Sequence, residues 1–185
     1  IVHAMVVLQF IKKFNPQIEI DWVVEKRFKG ILEYNPDVKD IYVINLNNAK
    51  KKKSIYLLLK ELKELRKLKQ YDLVIDMQGL VKSAIISKLI SSKSTIGYDK
   101  SSLREGLSSI FYTNKFKIDY GLNVISRNAR LVSSAINFKI ENSELKNKKP
   151  FLYSKKKHIE LNLDSNRKNI VSRLNNYFYL LINYI

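Results

Sequence analysis

The sequence predicts an α/β fold with a mostly parallel sheet, and three observations carry that prediction. Short β-branched segments alternate with helical ones through the first 138 residues, the pattern of successive βαβ units. Asp21–Val24 (DWVV) and Tyr71–Ile75 (YDLVI) are nearly continuously apolar, as strands covered on both faces must be. Asn15-Pro16 and Asn35-Pro36 punctuate the chain between elements, because the residue before proline is driven out of the helical region.

The elements follow in order. Val2–Phe14 carries apolar residues at 2, 5, 6, 8, 10, 11 and 14 and is predicted helical up to Asn15-Pro16. Ile18–Val24 is a short β-branched strand, with Trp22 as a core aromatic. Glu25–Tyr34 follows as a short helix and Ile41–Ile44 as a second strand. Ile55, Leu58, Leu59, Leu62, Leu65 and Leu68 recur at three- and four-residue spacing, which predicts an amphipathic helix. Lys60, Lys63, Arg66, Lys67 and Lys69 take its outer face. Tyr71–Ile75 is a strand ending at Asp76, and Gln78-Gly79 turns the chain into a helix over Leu80–Leu89. A short strand is predicted around Thr95–Gly97, a helix near Arg104–Ile110 and a last helix from about Leu122 to Ile136.

Composition bounds the function. The chain has 185 residues, about one domain's worth. No apolar run approaches the ~18 residues of a membrane span. Cysteine is absent, which excludes a disulfide scaffold, a Cys-zinc site and a thiol nucleophile. Lys+Arg 34 against Asp+Glu 17 gives a net charge of +17, which suits nucleic acid, phosphate or an anionic membrane. Only seven of those cations are Arg, beside 17 Asn and 11 Tyr. AT-rich codons encode Lys, Asn, Ile and Tyr, so part of the excess is composition bias on a solvated surface.

In open α/β sheets ligands gather at the carboxyl ends of the strands, here the loops after Val24, Ile44, Asp76 and Gly97. No GxGxxG, GxxxxGK[ST] or HExxH occurs, and His3 and His158 are the only histidines. The richest segment is Asp76-Met77-Gln78-Gly79-Leu80-Val81-Lys82-Ser83. Gly79 permits a tight turn, and the helix start leaves N–H groups for an anion. Gln78 could bond a sugar hydroxyl and Lys82 could add charge. The plainer alternative is that Asp76 only caps and Gly79 only turns. Arg104 lies in a loop after a strand, and Arg127 and Arg130 share a helix face. Lys50, Lys51, Lys52 and Lys53 form a loop run, either solvated or aimed at phosphates.

Together Asp21-Trp22-Val23-Val24-Glu25, Tyr71 through Ser83, and Arg104-Glu105-Gly106-Leu107-Ser108-Ser109-Ile110-Phe111-Tyr112 resemble the lipopolysaccharide heptosyltransferases, glycosyltransferase family 9. Within that family the likeness is greatest to heptosyltransferase I. Order and spacing agree from Ile1 to about Phe138. The resemblance implies a Rossmann-like parallel sheet, the N-terminal half of a GT-B glycosyltransferase, lacking its first strand. It implies inverting transfer of L-glycero-D-manno-heptose from ADP-heptose, the donor, to Kdo of Kdo-lipid A. No cofactor or metal is implied. The complete enzyme is expected to be a monomer, cytoplasmic and peripheral on the cytoplasmic face of the inner membrane of a Gram-negative bacterium, against an anionic membrane surface.

The resemblance also divides the chain. Residues 1–138 would form an acceptor-binding domain incomplete at its N-terminus, and residues 139–169 a mobile Lys-rich linker. Residues 170–185 would be an aberrant or truncated start of the nucleotide-sugar domain, as a frameshifted or truncated gene product would have. His3, Gln78, Gly79, Lys82, Ser83, Arg104 and Arg127 are the acceptor-binding candidates, with Lys50 to Lys53 as a basic surface. The family's general base, an Asp, is expected just before Ile1, so no catalytic residue is assigned within the chain. The family's Arg pair falls on Asn47-Asn48, and the His of its HAVER-like motif falls on Asn123, with the Arg kept as Arg127. The sheet is expected to carry an unpaired edge where the first strand is missing. Alternatives are a heptosyltransferase that adds the second heptose and a basic non-enzymatic nucleic-acid-binding module. No RRM, KH, helix-turn-helix or OB pattern supports the latter, so no nucleic-acid partner is expected.

Overall fold

The computed structural model describes residues 1–153 and 178–183. The first helix, α1 (Val2–Phe14), leads into strand β1 (Glu19–Glu25). Residues 26–34 form a 3-10 turn (Lys26–Phe28) and a one-turn helix α2 (Lys29–Leu32) where a longer helix was predicted. Then come β2 (Ile41–Ile44), α3 (Leu46–Lys51), α4 (Ile55–Leu65), β3 (Tyr71–Asp76), α5 (Val81–Leu89) and β4 (Ser92–Tyr98). The helix predicted near Arg104–Ile110 is instead a 3-10 segment (Gly106–Phe111), followed by β5 (Asn114–Phe116). Helices α6 (Val124–Ala135) and α7 (Asn142–Lys146) and strand β6 (Phe178–Asn183) complete the described chain.

Among the described residues six strands form one sheet in the order β2-β1-β6-β3-β4-β5. β1 pairs with β2, β3 with β4 and β4 with β5, all in parallel. The expected unpaired edge is not there. β6 lies between β1 and β3 and pairs antiparallel with both. The physical reason is plain: two adjacent apolar strand edges offer unpaired N–H and C=O groups, and the apolar segment FYLLIN can satisfy both. Residues 178–183, expected to open a second domain, therefore lie within this sheet. The predicted strand approach at Lys168–Val171 and the Lys155–Lys157 run lie outside the described residues.

Helices cover both faces, as a parallel sheet requires. On one face α1 buries Met5, Val6, Val7, Leu8 and Ile11 with Trp22, Val24, Ile75, Tyr98 and, from α6, Leu131 and Val132. On the other, Val23 and Val74 pack with Leu65 of α4 and Ile86 of α5. Trp22 is the core aromatic expected of it, with no exposed surface. The first part of the Lys-rich linker is docked rather than mobile. Gln9 and Lys149 exchange two hydrogen bonds of 3.2 and 2.9 Å, and Phe151 is buried in the core.

The apolar stripe of α4 departs most from expectation. Leu65 is buried, but Ile55 is 75% and Leu59 59% exposed. The helical spacing is right, yet the helix overhangs the sheet and only its C-terminal turn reaches the core.

Candidate functional site

A cleft of about 770 Å³ opens at the carboxyl ends of β1 and β2, beside the first turn of α5. That is where an open parallel sheet places ligands. Its lining is mixed: Glu25, Arg27, Asn47, Lys50, Lys53 and Lys82 are its polar residues. Leu46, Ile55, Leu58, Leu62 and Ile85 line it alongside them.

Local chemistry sets each group. Glu25 ends β1 and is buried. Burial raises its carboxyl above the usual range, opposed by a hydrogen bond from the Asn47 N–H (3.3 Å) and the positive charge of Arg27. Asn45 caps α3 by accepting from the Asn48 N–H (3.3 Å), and its own N–H donates to Glu61 (2.9 Å). That short helix presents Lys50 to the cleft. Lys53 adopts a left-handed φ of 48° between α3 and α4 and lines the same cleft. Ser54 then caps α4, accepting from the Leu57 N–H at 3.3 Å.

The loop from β3 to α5 is held by Asp76, which is fully buried. Its Oδ1 accepts from the N–H groups of Gln78 (2.8 Å) and Gly79 (3.2 Å), and its Oδ2 from Ser83 Oγ (2.6 Å) and the Tyr112 hydroxyl (2.7 Å). Burial pushes the Asp76 carboxyl up, against the pull of these four bonds. Gly79 has φ +71°, and a Cβ there would stand 2.3 Å from Leu103 Cδ2. Glycine is required twice over.

Two N–H groups at the start of α5 are already used. Leu80 donates to Ser83 Oγ (3.0 Å) and Val81 to Glu105 Oε2 (2.9 Å). At Val81 the Glu105 carboxylate takes the place an external anion would occupy. Gln78 keeps its side-chain oxygen buried without a partner among the described residues.

The candidate residues therefore separate. Lys82, Lys50 and Lys53 share the cleft; Lys51 and Lys52 are exposed and outside its lining. Ser83 and Gly79 build the loop that carries Lys82. Arg104 and His3 are exposed and do not line the cleft. Arg127 is enclosed: its guanidinium stacks 4.7 Å from the Tyr98 ring and 4.6 Å from the Tyr120 ring, and Nη2 donates to the Ser102 carbonyl at 2.6 Å. Sequence reasoning missed Glu25, Arg27 and Glu105. A carboxylate at the end of an apolar strand was the available signal for Glu25. Among the described residues no group of three or more His, Cys, Asp or Glu is placed to hold a metal ion, and no helix is long and apolar enough to cross a membrane.

The model of glycosyltransferase family 9 (heptosyltransferase) matches residues 58–175. The chain belongs to this family. Lipopolysaccharide heptosyltransferase 1 of Campylobacter coli is 38% identical over 176 residues, which cover 92% of this chain and 50% of that protein. Its counterpart in Pseudomonas aeruginosa is 30% identical over 149 residues, 77% of this chain and 41% of that protein. This family 9 chain thus spans about half the length of the curated relatives it matches. Among solved structures, E. coli heptosyltransferase WaaC with ADP matches with a TM-score of 0.69 and 29% identity, over 76% of this chain and 45% of that one. The structure titled WaaC with ADP-2-deoxy-2-fluoro heptose matches with a TM-score of 0.70. The family 9 fold here is accordingly part of the N-terminal, Rossmann-like half of a GT-B glycosyltransferase.

Proposed function

We propose that this chain is the acceptor-binding half of a lipopolysaccharide heptosyltransferase, serving transfer of heptose from ADP-heptose to Kdo of Kdo-lipid A. The observation that carries the reading is a cleft lined by both cationic and apolar side chains. An acceptor with sugar carboxylates and phosphates on a lipid anchor needs both. Lys50, Lys53, Lys82 and Arg27 supply charge for the anionic groups. Ile55, Leu58 and Ile85 supply an apolar lip against which the start of the acyl region rests. Buried Glu25, with its raised pKa, is suited to hydrogen-bond a sugar hydroxyl in either protonation state.

Inverting transfer also needs a general base at the acceptor hydroxyl and a site that stabilises the departing ADP. In this reading the nucleotide sugar belongs to a partner half, and no metal ion is invoked. The surface lysines hold the protein against anionic lipid on the cytoplasmic face of the inner membrane, each contributing about 1 kcal/mol when close to it.

Binding of Kdo-lipid A in detergent, followed by calorimetry, tests the assignment. Lys50→Ala combined with Lys82→Ala is expected to weaken binding at least about tenfold, a loss of ~1.4 kcal/mol. Unchanged affinity in the double variant overturns it. Tighter binding of the heptosylated acceptor than of Kdo-lipid A assigns the chain to addition of the second heptose.

A further inference from the structure

The layers on the two faces of the sheet are finished differently. On one side α1 and α6 each leave a single large apolar side chain exposed, Phe14 and Val124. The other side is covered by α4, α5 and the 3-10 segment Gly106–Phe111. The place of that segment follows from β4. Ile96 and Tyr98 belong to the core beneath α1, so Gly97 between them faces the opposite way. Tyr112 lies against Gly97, where a Cβ would stand 2.3 Å from its Cε2. Its hydroxyl donates to Asp76, and Ser108 Oγ donates to the Gly79 carbonyl at 3.0 Å, which seats the segment beside α5.

The outer surface of this second layer keeps its apolar side chains uncovered. Leu107 is 70% and Ile110 67% exposed, although Ser108 and Ser109 between them are buried. Tyr56 and Leu59 of α4 and Ile85 of α5 are exposed as well. Cations accompany them. Lys50, Lys53, Lys82 and Arg104 are exposed, and none is ion-paired among the described residues. The carboxylates nearby are occupied within the protein: Glu61 accepts from the Asn45 N–H, Glu105 from the Val81 N–H, and Glu64 pairs with Lys67.

We propose that the outer surface of α4, α5 and residues 106–111 is a docking face for an anionic lipid bilayer, with Leu107 and Ile110 as an apolar foothold separate from α4. Apolar side chains interleaved with unpaired cations suit the boundary between headgroups and acyl chains. A second copy of the same face is a poor occupant, because it would bring like charges together. The cleft belongs to this layer, with Ile55, Lys82 and Ile85 in its lining, so docking brings the lipid headgroups to it. That last step rests on the acceptor reading above; the docking face itself does not.

Vesicles of phosphatidylglycerol and phosphatidylcholine, free of Kdo-lipid A, test the face by co-sedimentation. The 185-residue chain is expected to bind them and to lose that binding on pure phosphatidylcholine. Leu107→Ser with Ile110→Ser is expected to weaken binding at least about fivefold, as loss of two apolar contacts implies. Its affinity for Kdo-lipid A in detergent should stay unchanged, since neither residue lines the cleft. No binding to the anionic vesicles, equal binding to neutral ones, or equal binding by the variant overturns the proposal and leaves the acceptor assignment standing. Because cysteine is absent, Ile110→Cys and Val124→Cys can each carry one environment-sensitive fluorophore. A blue shift on anionic vesicles is expected at position 110 and not at position 124. A shift at both alike, or a concentration-dependent dimer that shields position 110 without lipid, overturns the assignment of this face to the bilayer.

Discussion

At the scale of single residues, the loop after β3 depends on Gly79 and the cleft on Glu25. Gly79→Ala places a Cβ at φ +71° and 2.3 Å from Leu103. A loss of at least about 1–3 kcal/mol is expected in urea unfolding, since a left-handed non-glycine residue alone costs that much. An unchanged midpoint contradicts it. Glu25 gives a pH signature. Its carboxyl is raised by burial, so it holds its proton more tightly folded than unfolded. The stability it contributes is complete below its ordinary value of 4.5 and is lost as pH rises through its raised folded value. Glu25→Gln is expected to flatten the fall of stability with rising pH above 4.5; parallel curves for the two chains reject it. Asp99 and Glu144, held below their usual range by hydrogen bonds, act in the opposite sense but equally in both chains. The turn at Gly79 was legible because it is set by neighbours in sequence, whereas the close approach of Leu103 was not. The enclosure of Arg127 was not, because Tyr98 and Tyr120 come from other elements.

At the scale of elements, periodicity located α1, α4, α5 and α6 and the strands β1 to β3, because their apolar spacing is long or dense enough to stand alone. The short elements α3, β5 and α7 have three to six residues and carry no such signal. Periodicity also names an apolar face without saying what covers it. The stripe of α4 was read as core, whereas Ile55 and Leu59 are exposed, next to a cleft wall carrying Lys50 and Lys53. That juxtaposition of apolar and cationic groups is expected to partition onto anionic lipid. Tyr56→Ser with Leu59→Ser, both exposed and outside the cleft lining, should weaken binding to vesicles of anionic phospholipid several-fold while changing folding stability by no more than about 0.5 kcal/mol per site, the range for exposed positions. A large loss of stability, with vesicle binding intact, would show that the stripe packs in the fold instead.

At the scale of the whole molecule, acceptor binding and catalysis part company. The described residues assemble a cleft with cationic and apolar side chains, but the N–H groups of the loop that leads into α5 are committed within the protein. The N–H groups of residues 78–81 donate to Asp76, Ser83 and Glu105, so these four are not available to an external anion. Asp76, the carboxylate at the end of β3, is committed to four hydrogen bonds and is fully buried, so it cannot reach an acceptor hydroxyl without dismantling the loop. The solved relative with ADP is matched over 45% of its length. With ADP-heptose and Kdo-lipid A both supplied, the 185-residue chain is therefore expected to bind the acceptor and to form no heptosylated product. Mass spectrometry of the lipid reads the outcome directly. Product that accumulates in proportion to this chain would mean that the cleft also holds the donor, with Glu25 the nearest carboxylate to act as base.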